Sequence, residues 1–193
     1  MAGTANNVRV QSSVAIAALV LFIAATIWIN YVVKVRIQGS HNGGSVQEMG
    51  HVKVAQPALD FSTLDLSNRV VSLADYRGKK VVLLDFWATW CGPCRMEMVD
   101  LQALLDKFKG KDFEILSLDQ GESAEEIRPF ITRKKYGFHV LLDKDGIVGD
   151  KYGVKGIPTL VLIDKSGAIQ WLQVGYSENG RSLERKIESL ISK

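Results

Sequence analysis

The sequence predicts an α/β fold in which helices flank a central mixed β-sheet, with one membrane-spanning helix ahead of it. Strand-like and helix-like segments alternate after residue 58, which is typical of parallel strands joined by helices. Residues 81–86 are apolar on both faces except for one acid, which indicates a central strand covered on both sides. Residues 14–33 carry no charge and would span about 30 Å as a helix, the thickness of the hydrocarbon core of a bilayer.

The composition excludes several classes of protein. A length of 193 residues allows one ordinary domain and an appendage. The hydrophobic fraction of 47% and the charged fraction of 23% exclude disorder over most of the chain. A net charge of +3 without a basic stripe gives no reason to expect a nucleic-acid partner. The 2 cysteines, Cys91 and Cys94, exclude a scaffold held by several disulfides.

The chain is expected to divide into four segments. They are a short N-terminal tail (1–13), a transmembrane anchor (14–33), a flexible tether rich in glycine and polar residues (34–57) and a folded domain (58–193). A cleaved signal peptide is the alternative for the second segment, but its apolar region is usually about 7–15 residues long. The flanking basic residues are nearly balanced and lean slightly toward a cytoplasmic domain, so charge alone does not determine the orientation.

The first half of the domain is predicted to contain a hairpin, a central strand and a helix. Two short alternating runs, 61–65 and 70–73, surround Ser67-Asn68 and predict the hairpin. The central strand is residues 81–86. Apolar residues then recur at i, i+4, i+7, i+11 and i+14, the pattern of an amphipathic helix that ends at Gly110. These residues are Cys94, Met98, Leu101, Leu105 and Phe108.

The second half is predicted to extend the sheet. Its expected elements are a strand at 113–118, a helix at 124–135, a strand at 140–142, a short helix at 147–152 and a terminal helix with Leu183, Ile187, Leu190 and Ile191 on one face. Between the short helix and the terminal helix, the turn-rich segment 164–167 separates two strand-like runs, 159–163 and 168–174. This arrangement predicts a terminal antiparallel hairpin.

The two cysteines lie where the central strand passes into the amphipathic helix. In this context a pair of cysteines three residues apart indicates a redox-active dithiol. Cys91 is expected at the helix N-terminus, where free N–H groups and the helix dipole favour a thiolate. Cys94, one turn later, would then lie within reach of Cys91.

Asp85 is the single acid in the apolar central strand. Burial of an ionised carboxylate is costly, so the pKa of Asp85 should rise toward neutrality. Such a group could accept the proton of Cys94, which makes Asp85 a third candidate catalytic residue. The alternative is an aspartate that bonds to a loop at the end of the strand.

The segment Asp85 to Cys94 closely resembles the active site of the thioredoxin superfamily, and residues 156–159 resemble its cis-proline loop. The wider pattern is similar to the membrane-anchored thiol–disulfide oxidoreductases of the TlpA/ResA type: an N-terminal span, an opening hairpin and an extra helix and strand between 124 and 142. The resemblance implies a thioredoxin-like fold with Pro158 in the cis form. It also implies that Trp90, Gly92, Pro93, Ile157 and Pro158 meet the substrate, and that Glu97 modulates the dithiol.

Two residues depart from many anchored members of this group. Asp85 stands where many have asparagine, and Val99 stands where many have proline. Together with Gly92-Pro93 between the cysteines, these residues move the site toward cytosolic thioredoxin. By analogy this implies a reductant of low potential, toward about −270 mV.

The resemblance implies a protein-disulfide reductase that needs no cofactor or metal beyond the redox-active pair Cys91 and Cys94. It further implies clients with disulfides, apocytochrome c among the candidates, a membrane electron donor, and a single-pass protein with its domain outside the cytoplasmic membrane. Three alternatives stay open: a non-catalytic binding module, a metal chaperone and a thiol peroxidase. A metal site would need ligands beyond the two cysteines, and a peroxidase would place a different sequence before Cys91.

Overall fold

The computed structural model describes residues 23–28, 45–46, 48–50, 52–178 and 180–193. The chain divides into two units, residues 1–42 and 43–193. In the first unit, residues 23–28 are helical. The rest of the predicted anchor at 14–33 lies outside the described residues. Within the described ranges, no helix combines the length and the apolar character needed to cross a bilayer.

The second unit contains ten strands and four α-helices among its described residues. The strands are β1 (Ser45–Val46), β2 (Glu48–Met49), β3 (Val52–Lys53), β4 (Ser62–Leu64), β5 (Val70–Ser72), β6 (Val81–Trp87), β7 (Phe113–Gln120), β8 (His139–Asp143), β9 (Thr159–Ile163) and β10 (Ile169–Val174). The helices are α1 (Gly92–Lys107), α2 (Ala124–Lys134), α3 (Ile147–Tyr152) and α4 (Gly180–Ile191), and Leu73–Tyr76 form a 3-10 turn.

Six strands form the central sheet in the order β1-β10-β9-β6-β7-β8. Strand β6 pairs in parallel with β7, and β7 pairs in parallel with β8. On the other side of β6, strands β9, β10 and β1 pair in antiparallel fashion. The predicted mixed sheet, its parallel half and its terminal hairpin are therefore confirmed, as is the opening hairpin of β4 and β5.

Strand β6 is buried along its whole length and separates two hydrophobic cores. Because successive side chains of a strand point to opposite faces, Val81 and Leu83 pack with α1, α2 and α4, while Val82 and Leu84 pack with the hairpins and α3. Asp85 follows the same alternation as Val81 and Leu83. The period of the strand therefore directs its carboxyl group to the face that α1 covers.

The folded unit begins before Ala58, which differs from the predicted tether at 34–57. Strand β1 joins the edge of the main sheet beside β10, and β2 and β3 form a small hairpin around Gly50. Met49 and Val52 are buried in the core of the hairpin side of the sheet. The glycine-rich composition predicted a flexible tether, but two apolar residues on either side of a glycine turn suffice to attach the segment to the domain.

Candidate active site

The strand-to-helix connection after β6 brings the two cysteines together. Cys91 is the N-cap residue of α1, and Pro93 lies in the first turn of that helix. A disulfide joins Cys91 to Cys94, and their Cα atoms are 5.3 Å apart. The backbone N–H of Cys94 donates a hydrogen bond of 3.2 Å to Sγ of Cys91. The N-terminus of α1 therefore directs a donor at the sulfur that the sequence predicts to be the nucleophile.

The residues around the disulfide differ in exposure. Cys91 is 5% exposed and Cys94 is 1% exposed, so the second cysteine is the more deeply buried. Pro93 is exposed, and Trp90 is exposed over 66% of its surface, which is unusual for so large an apolar residue. A partner that approaches Cys91 would therefore contact the exposed side chain of Trp90.

The loop before β9 lies beside the dithiol. The peptide bond between Ile157 and Pro158 is cis, as the resemblance implies. The carbonyl oxygen of Ile157 is 3.8 Å from Sγ of Cys91. Pro158 is buried and Ile157 is half-buried. The fold thus brings together two segments that are more than sixty residues apart in the sequence.

Asp85 is buried, on the face of β6 that α1 covers. Its Oδ2 accepts a hydrogen bond of 2.8 Å from the hydroxyl of Ser117 on β7. Burial raises the pKa of Asp85 well above its ordinary value, and the hydrogen bond from Ser117 opposes part of this rise. The direction is the one that the apolar strand predicts.

Glu97 is a second buried carboxyl group, one turn after Cys94 on α1. Its Oε1 accepts a hydrogen bond of 2.9 Å from the amide of Gln173 on β10, and its Oε2 has no partner in the structure. Burial raises the pKa of Glu97, and the charges of Asp85 and Asp100 raise it further. Asp85 and Glu97 thus interact electrostatically, and the buried region can hold a proton at neutral pH.

The combined arrangement suits thiol chemistry. A helix N-terminus favours a thiolate and here lies at Cys91, the cis-proline loop borders the same sulfur, and two acids with raised pKa values, Asp85 on β6 and Glu97 on α1, are buried. Among the described residues, no group of three or more His, Cys, Asp and Glu side chains converges in a way that could hold a metal ion.

Three polar residues near the site were missed by the sequence interpretation. Ser117 and Gln173 bind the two buried acids, and Glu122 binds Thr89 in the loop before Cys91. A polar residue inside a predicted buried strand is the signal that could have identified Ser117 and Gln173. Glu122 lies in a loop, and no local pattern indicates its contact with Thr89.

Comparisons with known proteins agree with this geometry. Residues 54–172 match the family model described as the AhpC/TSA family. The chain is 36% identical over 139 residues to the thiol-disulfide oxidoreductase ResA of Geobacillus kaustophilus, covering 72% of this chain and 79% of that protein. It is 38% identical over 146 residues to the thioredoxin-like protein YneN of Bacillus subtilis, covering 75% of this chain and 84% of that protein.

A solved structure shows the same fold. A Chlorobium tepidum protein described as a thiol:disulfide interchange protein DsbE superposes with a TM-score of 0.68 at 33% identity, covering 72% of this chain and 99% of that one. The thioredoxin-like fold predicted from the dithiol segment is therefore confirmed. The chain belongs to the AhpC/TSA family of thioredoxin-like proteins and is a thiol–disulfide oxidoreductase of the ResA type.

Proposed function

We propose that the protein reduces disulfides of extracytoplasmic proteins, with Cys91 as nucleophile, Cys94 as resolving thiol and Asp85 as proton acceptor. The observation that carries the proposal is the position of Cys91. Its sulfur lies at the N-cap of α1, accepts the N–H of Cys94 and borders the Ile157 carbonyl group. A thiolate at this point is stabilised by the helix and faces the side on which a client polypeptide can lie.

The first step is attack on the client. The thiolate of Cys91 displaces one sulfur of the client disulfide, so that a mixed disulfide forms and the client sulfur leaves as a thiolate that takes a proton. In the reduced protein the Cys94 N–H donor helps to keep Cys91 ionised.

The second step releases the client. Cys94 gives its proton to Asp85 and attacks the sulfur of Cys91, so that the Cys91–Cys94 disulfide forms and the second client sulfur leaves as a thiolate that is protonated. Two electrons pass from the protein dithiol to the client. Asp85 suits the role because its raised pKa makes it a competent base near neutral pH.

The surface around Cys91 is proposed to bind the client. Trp90 supplies an exposed aromatic face. Gly92 and Pro93 place little side-chain bulk beside the sulfur, and the loop at Ile157 and Pro158 offers backbone groups for hydrogen bonding. Glu97 is proposed to modulate the dithiol through its electrostatic interaction with Asp85.

The N-terminal segments are proposed to tie the domain to the cytoplasmic membrane as a single-pass protein, with tail 1–13, anchor 14–33 and a tether after it. The described part of the anchor is helical, and Ile27 and Trp28 are 64% and 66% exposed, which suits contact with lipid. A membrane protein that donates electrons would re-reduce the disulfide. Apocytochrome c is one candidate client. Activity of a reporter that works only in the cytoplasm, fused after Lys193, would show that the domain faces the cytoplasm and would contradict the proposed orientation.

Cysteine variants test the mechanism directly. Cys91→Ser should abolish insulin reduction, whereas Cys94→Ser should accumulate a mixed disulfide visible on a non-reducing gel. Turnover retained in Cys91→Ser would contradict the proposal. The reduction potential of the pair separates a reductant from an oxidant, and a value near −120 mV rather than toward about −270 mV would overturn the direction of electron flow.

Two further assays address the alternatives. A metal chaperone predicts stoichiometric metal uptake by the reduced protein without insulin reduction, and a non-catalytic binding module predicts neither. A thiol peroxidase predicts consumption of hydrogen peroxide that depends on Cys91. The proposed reductase is expected to reduce insulin at a rate far above its consumption of peroxide.

A further inference from the structure

The carboxylate of Glu122 accepts two hydrogen bonds from the loop that precedes the dithiol. Thr89 lies two residues before Cys91, between β6 and α1. Its backbone N–H donates to Oε2 of Glu122 at 2.5 Å, and its hydroxyl donates to Oε1 of the same side chain at 2.5 Å. Glu122 therefore binds Thr89 with both carboxylate oxygens, which is the stronger form of hydrogen bonding by a charged acceptor.

Thr89 is also bound by a side chain of α1. The guanidinium group of Arg95 donates a hydrogen bond of 3.1 Å to the carbonyl oxygen of Thr89. The N–H of Cys91 donates to the carbonyl oxygen of Ala88 at 3.2 Å. The turn before the nucleophile is thus fixed through the N–H, the carbonyl and the hydroxyl of Thr89, by the carboxylate of Glu122 and the guanidinium group of Arg95.

Glu122 is itself positioned by the end of the neighbouring strand. Its backbone N–H donates to Oδ1 of Asp119 at 3.0 Å, and Asp119 is the fully buried partner of Trp87 in the pairing of β7 with β6. Burial and then the charge of Glu122 raise the pKa of Asp119 to about 8, with a smaller effect from Glu126. At neutral pH Asp119 is therefore mainly protonated.

We propose that Glu122 is a positioning residue of the oxidoreductase, which acts through Thr89 to hold Cys91 at the N-cap of α1. The inference rests on the proposed role of Cys91 as nucleophile and extends it to a residue about thirty positions away in the sequence. A fixed turn keeps the sulfur in line with the N–H of Cys94, the donor that stabilises the thiolate. If the turn is released, this alignment is lost.

The direction in which the pKa of Cys91 changes when Glu122 is replaced distinguishes a positioning role from a purely electrostatic effect of its charge. A carboxylate near a thiol disfavours the thiolate, so removal of the charge alone should lower the pKa of Cys91. Loss of positioning should raise that pKa, because the thiolate loses its N–H donor and its place at the helix N-terminus. A contribution to folding alone would lower the stability and leave the pKa of Cys91 unchanged.

The experiment uses the reduced full chain and measures the rate of Cys91 alkylation by iodoacetamide between pH 5 and pH 10. Glu122→Gln and Thr89→Val should each move the alkylation profile toward higher pH and slow the reaction at pH 7 by about threefold to tenfold, as expected when the thiolate fraction falls. Thr89→Ser keeps both donors and should restore the wild-type profile. Glu125→Gln, which removes an exposed acid from the first turn of α2, is the charge-matched control and should change nothing.

The outcomes separate this inference from the proposed function. A profile that moves to lower pH in Glu122→Gln, or that stays unchanged in both Glu122→Gln and Thr89→Val, overturns the positioning role. The alkylation assay needs no client, so it decides this point even if the wild-type protein fails to reduce insulin, which would count against the proposed function alone. Urea unfolding of each variant in parallel identifies a purely structural effect.

Discussion

The hydroxyl of Ser117 donates a 2.8 Å hydrogen bond to Oδ2 of Asp85 across two neighbouring parallel strands. The two residues are direct partners in the register of β6 and β7, so the contact follows from the pairing of the strands. A donor to an ionised carboxylate favours the charged form, and this one opposes the rise in pKa that burial causes. Ser117 therefore lowers the pH at which Asp85 loses its proton.

Ser117→Ala should shift the pH dependence of client release to higher pH by about one unit, because a hydrogen bond to a charged group stabilises it by roughly 1.5–3 kcal/mol. Asp85 would then be ionised only at higher pH, and the release of a client from the mixed disulfide at pH 7 would slow. The measurement is the rate of resolution between pH 5 and pH 9. If the same shift appears when Ser117→Ala is added to Asp85→Asn, the effect does not pass through Asp85.

Asp85→Asn should make the folded protein more stable above neutral pH. The pKa of Asp85 is raised on folding, so the unfolded chain loses this proton at lower pH than the folded chain. The wild-type free energy of unfolding should therefore fall as the pH rises from about 4 through the folded pKa. Removing the acid should reduce this decline and stabilise the oxidised protein at pH 8 by on the order of 1–3 kcal/mol.

Urea unfolding at pH 5 and pH 8 checks this expectation. Glu97 also has a raised pKa, so part of the decline should persist in Asp85→Asn. If the free energy of unfolding falls by the same amount between pH 5 and pH 8 in the wild type and in the variant, folding does not raise the pKa of Asp85. Asp85→Asn should at the same time slow resolution of the mixed disulfide most strongly near neutral pH.

Trp90→Ala should weaken reduction of protein disulfides more than reduction of a small disulfide. An exposed tryptophan beside the nucleophile offers a large apolar face to a polypeptide. Tryptophan is enriched among the few interface residues that contribute 2 kcal/mol or more of binding energy, and about 2 kcal/mol is expected here. We expect kcat/KM for insulin to fall by about tenfold or more and the rate with oxidised glutathione to change by less than about twofold. Ile147→Ala removes a similarly exposed apolar side chain on α3 and should affect neither substrate. Equal losses for both substrates would assign Trp90 to the structure of the loop.

Gly50→Ala should destabilise the domain although residue 50 lies in the segment that the composition predicts to be a tether. Gly50 has a φ of +53°, and a Cβ atom there would lie 2.5 Å from the Cα of Gly153. Gly78 has a φ of +76° and open space around the corresponding position. Both variants incur the left-handed backbone penalty of about 1 kcal/mol. Only Gly50→Ala should lose roughly 1–3 kcal/mol more in urea unfolding, and equal losses would mean that the β2–β3 hairpin does not pack against the domain.

Most elements of the domain could be predicted because their signals are local. Strand β9 and helix α3 have the predicted bounds, and strand β6 differs from its prediction by one residue. A buried strand is recognisable from a short apolar run, and the helix after it from the spacing of residues such as Met98 and Leu101. The pKa rise of Asp85 was also predictable, since a carboxyl group in a strand without polar neighbours must be desolvated.

The contacts between elements could not be predicted in this way. Ser117 contacts Asp85 because β6 and β7 pair in parallel register. Gln173 contacts Glu97 because the fold brings β10 near α1, although the two elements are far apart in the sequence. The sequence predicts that the domain starts at Ala58, because the glycine-rich composition before this residue outweighs the two apolar residues Met49 and Val52. Their burial depends on a surface that exists only after the sheet has formed.

The sequence by itself determined the α/β architecture, the dithiol at the start of a helix and the acid in the strand beneath it, because periodicity, helix geometry and desolvation act within a few residues of each other. Only the tertiary structure decided which donors reach Asp85 and Glu97, where the cis-proline loop lies relative to Cys91, and that Glu122 holds Thr89. These contacts join residues about thirty to more than seventy positions apart. They depend on strand order and register, which local patterns do not specify.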